Sequence, residues 1–402
     1  MNRRNFLHNL GIAALSSSVG AATFAAASEP TANEHVYLPV VGSSPSIQSI
    51  LVAAANAPDS LKAVAHYRCD GTADQQEINQ AIQDLGSAGG LVQLSEGTFN
   101  CTGAVRLRAS VMLAGKGRAT VLKAFGSWAA FDGTTPGALV EPINDGVEKT
   151  AVFSLTLHGN RYNNQANVKG VYYNITRKDD FAEGSDAAHT FSHLYITLTQ
   201  DHGFHITGTH MRGCQISHIR VFDVGKEGET ETHGFLVECP DNFFNQCECG
   251  SSSGSGFFVN GTNLHFVNCK SWYSDLSGWQ IRKPRGQFSA CEAQDNAQHG
   301  FYITTGPTSL VGCHADSNSW NEPNKASDFD GFHIPWGNRI QLVGCSAYDK
   351  NEGGRGNWQR YGFFLGTTAN HCQIIATADN NATAPTGGTG IGNATNLIMV
   401  AG

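Results

Sequence analysis

HGFHITG (202–208), HGFLVEC (233–239), SGFFVNG (255–261), SGWQIRK (277–283), HGFYITT (299–305), DGFHIPW (330–336) and YGFFLGT (361–367) are versions of one phrase. Their glycines are Gly203, Gly234, Gly256, Gly278, Gly300, Gly331 and Gly362, spaced 31, 22, 22, 22, 31 and 31 residues apart. Gly170, in KGVYYNI, opens the same series. A second phrase lies between the first: FNQCECG, FVNCKSW, FSACEAQ, LVGCHAD and LVGCSAY. Its cysteines are Cys247, Cys269, Cys291, Cys313 and Cys345, and the first four are again 22 apart. Leu155, Leu194 and Ile219 take this position in earlier coils. An aliphatic side chain in place of Cys marks a dry interior, where Cys acts as a small hydrophobe.

Self-similarity at a fixed period is the mark of a solenoid. Two short apolar strands per coil cannot bury a core alone. Stacked coils can, with each residue above its counterpart at the ~4.8 Å strand spacing. The residues one and three after each Gly point inward, and those two and four after it point outward. The chain is therefore predicted to be an all-β parallel solenoid with coils of 22 residues or more. A leucine-rich horseshoe is the competing repeat, and its Leu consensus is absent.

Composition agrees. Charged residues are 15% of the 402, Gly numbers 46, and the net charge is -8. No Lys/Arg run offers the basic stripe that nucleic-acid binding needs. No stretch supplies the ~20 apolar residues of a membrane span. Eleven cysteines cannot all pair within the chain. Stacked ladder thiols favour the free state, while Cys69 and Cys101 are close enough in sequence to a common helix to pair.

That helix lies in DGTADQQEINQAIQDLGSAGGLVQLSEGTFN (70–100), with Ile78, Ala81, Ile82 and Leu85 on one face. It is the expected cover for the open end of the first coil. Asp70-Gly71-Thr72, the helix, Gly89-Gly90 and Ser95-Glu96-Gly97-Thr98-Phe99 resemble the opening of the pectate-lyase-like superfamily, which includes polygalacturonases, alginate epimerases and phage tailspikes. The resemblance implies a right-handed parallel β-helix with an N-terminal capping helix. It also implies a protein that works on polysaccharide, as hydrolase, lyase, epimerase or plain binder.

Residues 1–28 contain Arg3-Arg4-Asn5-Phe6-Leu7, which resembles the twin-arginine export signal, with cleavage expected near Ala25–Ala27. Residues 29–47 read as a linker and residues 48–402 as the β-helix domain. The signal implies folding in the cytoplasm and a secreted, periplasmic or surface protein.

In the short coils the next Gly stands nine positions after Cys; after Cys313 and Cys345 the interval is 18 and 17. The insertions therefore leave from one corner, and insertions on one face often mark a binding face. They carry Trp320, Lys325, Arg355 and Trp358. Near that corner, His299, Tyr302, Asp330, His333, Asp295 and Asp316 fall in adjacent coils. Asp295, Asp316 and Asp330 are candidate catalytic carboxylates, with His299 and His333 as acid–base groups. Carboxylates one or two coils apart would sit ~5 or ~10 Å from each other, bracketing the spacing for inverting hydrolysis. Tyr302, Trp320, Lys325, Arg355, Trp358 and Arg282 are candidate substrate-binding residues. His202 and His233 read as a stacked surface ladder, and Glu248, Lys270 and Glu292 as a surface ion ladder.

The polygalacturonase pattern departs here: Gln200-Asp201-His202-Gly203 and Gln280-Ile281-Arg282-Lys283 are present, but no Asn-Thr-Asp or Asp-Asp is in register. Asp328-Phe329-Asp330-Gly331-Phe332-His333 likewise departs from the Asp-Pro-His of alginate epimerases. The expectation is an exported polysaccharide-active enzyme, a glycoside hydrolase first. A lyase or epimerase comes second, with His333, Lys325 or Arg355 as the base beside a uronate, and a non-catalytic carbohydrate binder third. No cofactor is required, and no residue is assigned to a metal, although the lyase resemblance allows Ca2+. The expected partner is a polysaccharide, and the expected assembly a monomer or a homotrimer.

Overall fold

Phenylalanine or tryptophan follows nearly every repeat glycine because that position stacks in the core. Phe204, Phe235, Phe257, Trp279, Phe301, Phe332 and Phe363 are all fully buried. From Phe235 to Phe257 and Trp279 the rings lie 4.5 and 4.0 Å apart and nearly parallel. A second stack, Phe244–Phe266–Phe288, runs beside the first at 4.4 and 5.1 Å. The two stacks meet edge to face, as between Phe266 and Trp279 at 85°. Offset stacking along each column and edge contacts across them are the favoured aromatic geometries.

The computed structural model describes residues 48–126, 128, 137–163, 167–177, 186–226, 231–320, 329–350 and 358–402. The expected signal and linker, residues 1–47, lie outside these. The strands form two parallel arrays, an 11-stranded narrow sheet and a 21-stranded broad sheet. The phrase after each glycine forms the narrow sheet, as in Phe257–Val259, Trp279–Ile281 and Phe301–Ile303. The middle coils then each contribute two strands to the broad sheet, such as His265–Val267 and Lys270–Trp272, and others a single longer one, such as Ile340–Tyr348. Between them one residue turns the chain in the left-handed region, Asn268 at φ 53°. The ladder cysteines follow this turn and are buried and unpaired, as are Cys69 and Cys101.

The corner leading back to the narrow sheet is where the glycines matter. A Cβ on Gly278 would lie 2.9 Å from Ala293 Cβ and 2.7 Å from Asn296 Nδ2. Behind it runs a buried amide ladder: Asn296 Nδ2 donates to Asn318 Oδ1 at 2.9 Å, and Asn318 Nδ2 to Gln359 Oε1 at 3.2 Å. The cap is the helix Gln75–Asp84, with Ile78, Ala81 and Ile82 facing the core. Asn79 ties it to the first coil, donating to Ala104 O at 2.9 Å and accepting from Arg106 N at 2.8 Å.

Phe266→Ala should lower stability by about 3–5 kcal/mol, because the stack above and below cannot collapse into the gap. A urea midpoint unchanged from the parent would contradict the stacked core.

Candidate active site

Side chains two after each glycine form a column on the outer face of the narrow sheet. In register these are Tyr172, His205, Leu236, Phe258, Gln280, Tyr302, His333 and Phe364. Beside them run the residues that precede the glycines. His202, His233 and His299 in that second column share one device. Their Nδ1 atoms accept the backbone N–H of His233, Ser255 and Asp330 at 2.9, 3.0 and 3.0 Å. Each neutral ring must then carry its proton on Nε2, as a donor. Burial, the largest cause in each case, lowers His202 to about 4 and His233 and His299 to about 3. His202 and His233 do stack, 5.5 Å apart, but largely out of solvent.

Asp330 is fully buried and is the hub of one cluster. Arg360 grips it through both nitrogens, Nε to Oδ1 at 2.9 Å and Nη2 to Oδ2 at 2.8 Å. The Tyr361 N–H adds a bond to Oδ1 at 3.2 Å. His333 Nδ1 lies 2.6 Å from Oδ2. Burial acts to raise this carboxyl, but the bonds from His333 and Arg360 outweigh it and hold it below the ordinary range. An ionised Asp330 accepts only, so His333 donates from Nδ1, and the neutral ring then has its lone pair on Nε2. The His333 ring is fixed between His299 at 4.1 Å and Phe364 at 4.5 Å. Tyr302 stacks on His299 at 5.4 Å, and the Arg282 guanidinium lies 4.9 Å from the Tyr302 ring centre.

A second cluster lies five strand steps along the same column, or ~24 Å at the β spacing. Lys169 Nζ pairs with Asp201 Oδ2 at 2.6 Å, and Asp201 Oδ1 lies 3.4 Å from His202 Nε2. His205 Nε2 meets Glu238 Oε2 at 3.1 Å. Burial acts to raise Asp201, and the neighbouring His202 and Lys169 bring it below its usual range. The His205 bond is the main cause lowering Glu238.

Of the residues singled out from the sequence, His299, Tyr302, Asp330 and His333 come together, with Arg282 alongside. Asp295 and Asp316 sit with the broad sheet. Asp295 is a left-handed turn residue at φ 49°, and Asp316 pairs with Lys350 Nζ at 2.7 Å. Trp320 and Trp358 stack on each other at 6.4 Å on the insertion corner. Lys325 and Arg355 lie outside the described residues. Arg360, Lys169, Asp201, His205 and Glu238 complete the two clusters. Lys169 was legible as the residue before Gly170 in the repeat column; Arg360 lies one position off that column and gives no such signal.

Residues 181–347 match the family described as right handed beta helix region. The A-module of a mannuronan C-5 epimerase from Azotobacter vinelandii superposes with TM-score 0.64 at 17% identity, covering 82% of this chain and 92% of its own. A second such A-module from the same organism gives TM-score 0.53 at 16% identity, covering 82% and 96%. The enzymatically active domain of tailspike protein 2 from bacteriophage CBA120 gives TM-score 0.55 at 13% identity, covering 76% of this chain and 45% of its own. No curated protein matches the chain by sequence. The protein is thus a right-handed parallel β-helix.

The buried imidazoles generate a pH prediction. Their folded pKa values lie below the ordinary 6.5, so the unfolded chain binds more protons as pH falls. Stability should be full above about pH 6.5 and decline steadily toward about pH 3. His233→Gln should flatten this dependence of the melting temperature; an unaltered slope would contradict the neutral buried ring.

Proposed function

We propose that the protein acts on an acidic polysaccharide, removing the proton on the ring carbon next to a uronate carboxylate. The observation that carries this reading is the Asp330–His333 pair beside the donating face of His299. His333 Nε2 takes the proton as general base, and the electron pair moves toward the carboxylate. Asp330 stabilises the resulting imidazolium, as the third group of a triad does. Arg282 is the cation placed to meet the sugar carboxylate; His299 Nε2–H and the Tyr302 phenol are donors for the charge that develops. From the carbanion-like state two outcomes follow. Breaking the bond to the β-oxygen, with a proton delivered to that leaving oxygen, gives elimination. Returning a proton to the opposite face of the carbon gives epimerisation.

Two further facts support a polysaccharide. Lys169, Arg282 and Arg360 lie over the rings of Tyr172, Tyr302 and Phe364 in the outer column, while the chain as a whole has a net charge of -8. The fold is also that of mannuronan C-5 epimerase A-modules and of a tailspike's enzymatically active domain. Glycoside hydrolysis needs a second carboxylate about 6.5–9.5 Å away in inverting enzymes, or about 5–5.5 Å in retaining ones. Asp295 and Asp316 keep different company from Asp330, so hydrolysis is the weaker reading. A polymeric substrate of this kind also accords with a secreted or surface location. No helix among the described residues is long and apolar enough to cross a membrane.

His299, Asp330 and His333 lie close enough to share an ion. Calcium fits them poorly, because it takes six to eight oxygen ligands. Both Asp330 oxygens already serve Arg360, whose charge repels a cation. The chemistry proposed here runs on protein groups.

Incubation with alginate or polygalacturonate in heavy water should give either ultraviolet-absorbing unsaturated ends or deuterium on the ring carbon. His333→Ala should lower either signal about 10²–10⁴-fold. A chelator should leave it unchanged. New reducing ends with neither signal would show hydrolysis and sink the proposal.

A further inference from the structure

The broad sheet carries aromatic and charged side chains of its own, away from the imidazole clusters. Trp272 is half-buried and its indole N–H donates to Glu248 Oε1 at 2.8 Å, which fixes the ring. Gly250 stands in register between Phe222 and Trp272. A Cβ there would come within 2.9 Å of the Phe222 ring and 2.8 Å of the Trp272 ring. The missing side chain lets the two rings close to 5.7 Å. Tyr273 continues the line, 5.3 Å from Trp272 and 5.6 Å from Trp320. The rings thus form a row reaching the insertion corner, where Trp320 stacks on Trp358.

Beside Trp272 and Tyr273 lies an open cleft of about 440 Å³, rimmed by amides and by Glu248 and Lys270. That volume is within the range of ligand pockets. The charges at the rim are matched: Lys270 Nζ meets Glu292 Oε1 at 3.0 Å and Gln294 Oε1 at 2.6 Å, and Arg220 Nε meets Glu248 Oε2 at 2.7 Å. Such a site presents aromatic rings and hydrogen-bonding groups, with Lys270, Glu292, Arg220 and Glu248 paired among themselves. This suits pyranose rings, whose C–H faces stack on aromatic rings and whose hydroxyls bond to amides and carboxylates. We propose that this cleft is a second saccharide-binding surface, which retains polymer without reacting with it. The inference rests on the polysaccharide reading but not on the chemistry at His333.

The test is native electrophoresis of the full chain through gels containing sodium alginate, polygalacturonate or hydroxyethyl cellulose. Wild type and His333→Ala should be retarded alike in at least one gel. Trp272→Ala should be retained about tenfold more weakly, as for truncation of an aromatic anchor. Turnover of a short soluble oligosaccharide should be unchanged. Gln294→Ala, which leaves the ring row intact, should also weaken retention, and it serves should Trp272→Ala fail to fold. Migration of folded Trp272→Ala and Gln294→Ala like wild type, or no retardation of wild type in any gel, would overturn the surface. A wild type without turnover whose retention still depends on Trp272 would sink the catalytic reading alone.

Discussion

Parallel stacking in strict register is the constraint on which everything else in this molecule depends. Each residue must tolerate its own counterpart directly above and below at ~4.8 Å. That requirement selects flat rings for the core, so that Phe301 and Phe332 stack at 4.8 Å and within 3° of parallel. It selects residues without bulk where strand and corner meet, as at Gly278 against Ala293. It also makes polar corners workable, because an amide can donate to the next coil and accept from the previous one.

The same constraint builds the site. A column of outward side chains becomes a row of chemistry when successive coils place His, Asp, Tyr and Arg on neighbouring rungs. The histidines before glycines join scaffold to site, since their Nδ1 atoms accept from the backbone of the next coil and leave Nε2 to carry the proton. A buried carboxylate such as Asp330 survives only because Arg360, His333 and a backbone N–H satisfy it together. The long intervals after Cys313 and Cys345 fall between a broad-sheet strand and the next narrow-sheet strand, where extra residues leave the strand register intact.

The fold was largely legible in the sequence because register leaves a periodic trace. Gly, Phe and Cys recur at 22 residues, and the capping helix shows its apolar face as Ile78, Ala81 and Ile82. The site was half legible. His299, Tyr302, Asp330 and His333 lie in the repeat columns, so counting from each glycine brings them together. Asp295 and Asp316 were drawn into the same patch because counting along a coil does not reveal how sharply its corner turns. The left-handed residue Asp295 belongs to that turn. His202 and His233 read as surface residues because their backbone bonds to the next coil have no sequence signature. Glu238 and Arg360 reach their partners by side-chain length and direction, which periodicity does not encode.

The central claim is that the outer face of the narrow sheet holds an acidic sugar with His333 Nε2 against a ring C–H. A crystal structure of the inactive His333→Ala protein with an oligouronate bound tests it most directly. The account predicts a sugar chain on that face, with one carboxylate at Arg282 and one ring beside Tyr302, its reacting carbon turned toward the vacated position 333. A narrow-sheet face left empty while sugar occupies only another surface, or a chain that approaches Asp316 rather than the Asp330 cluster, would contradict it.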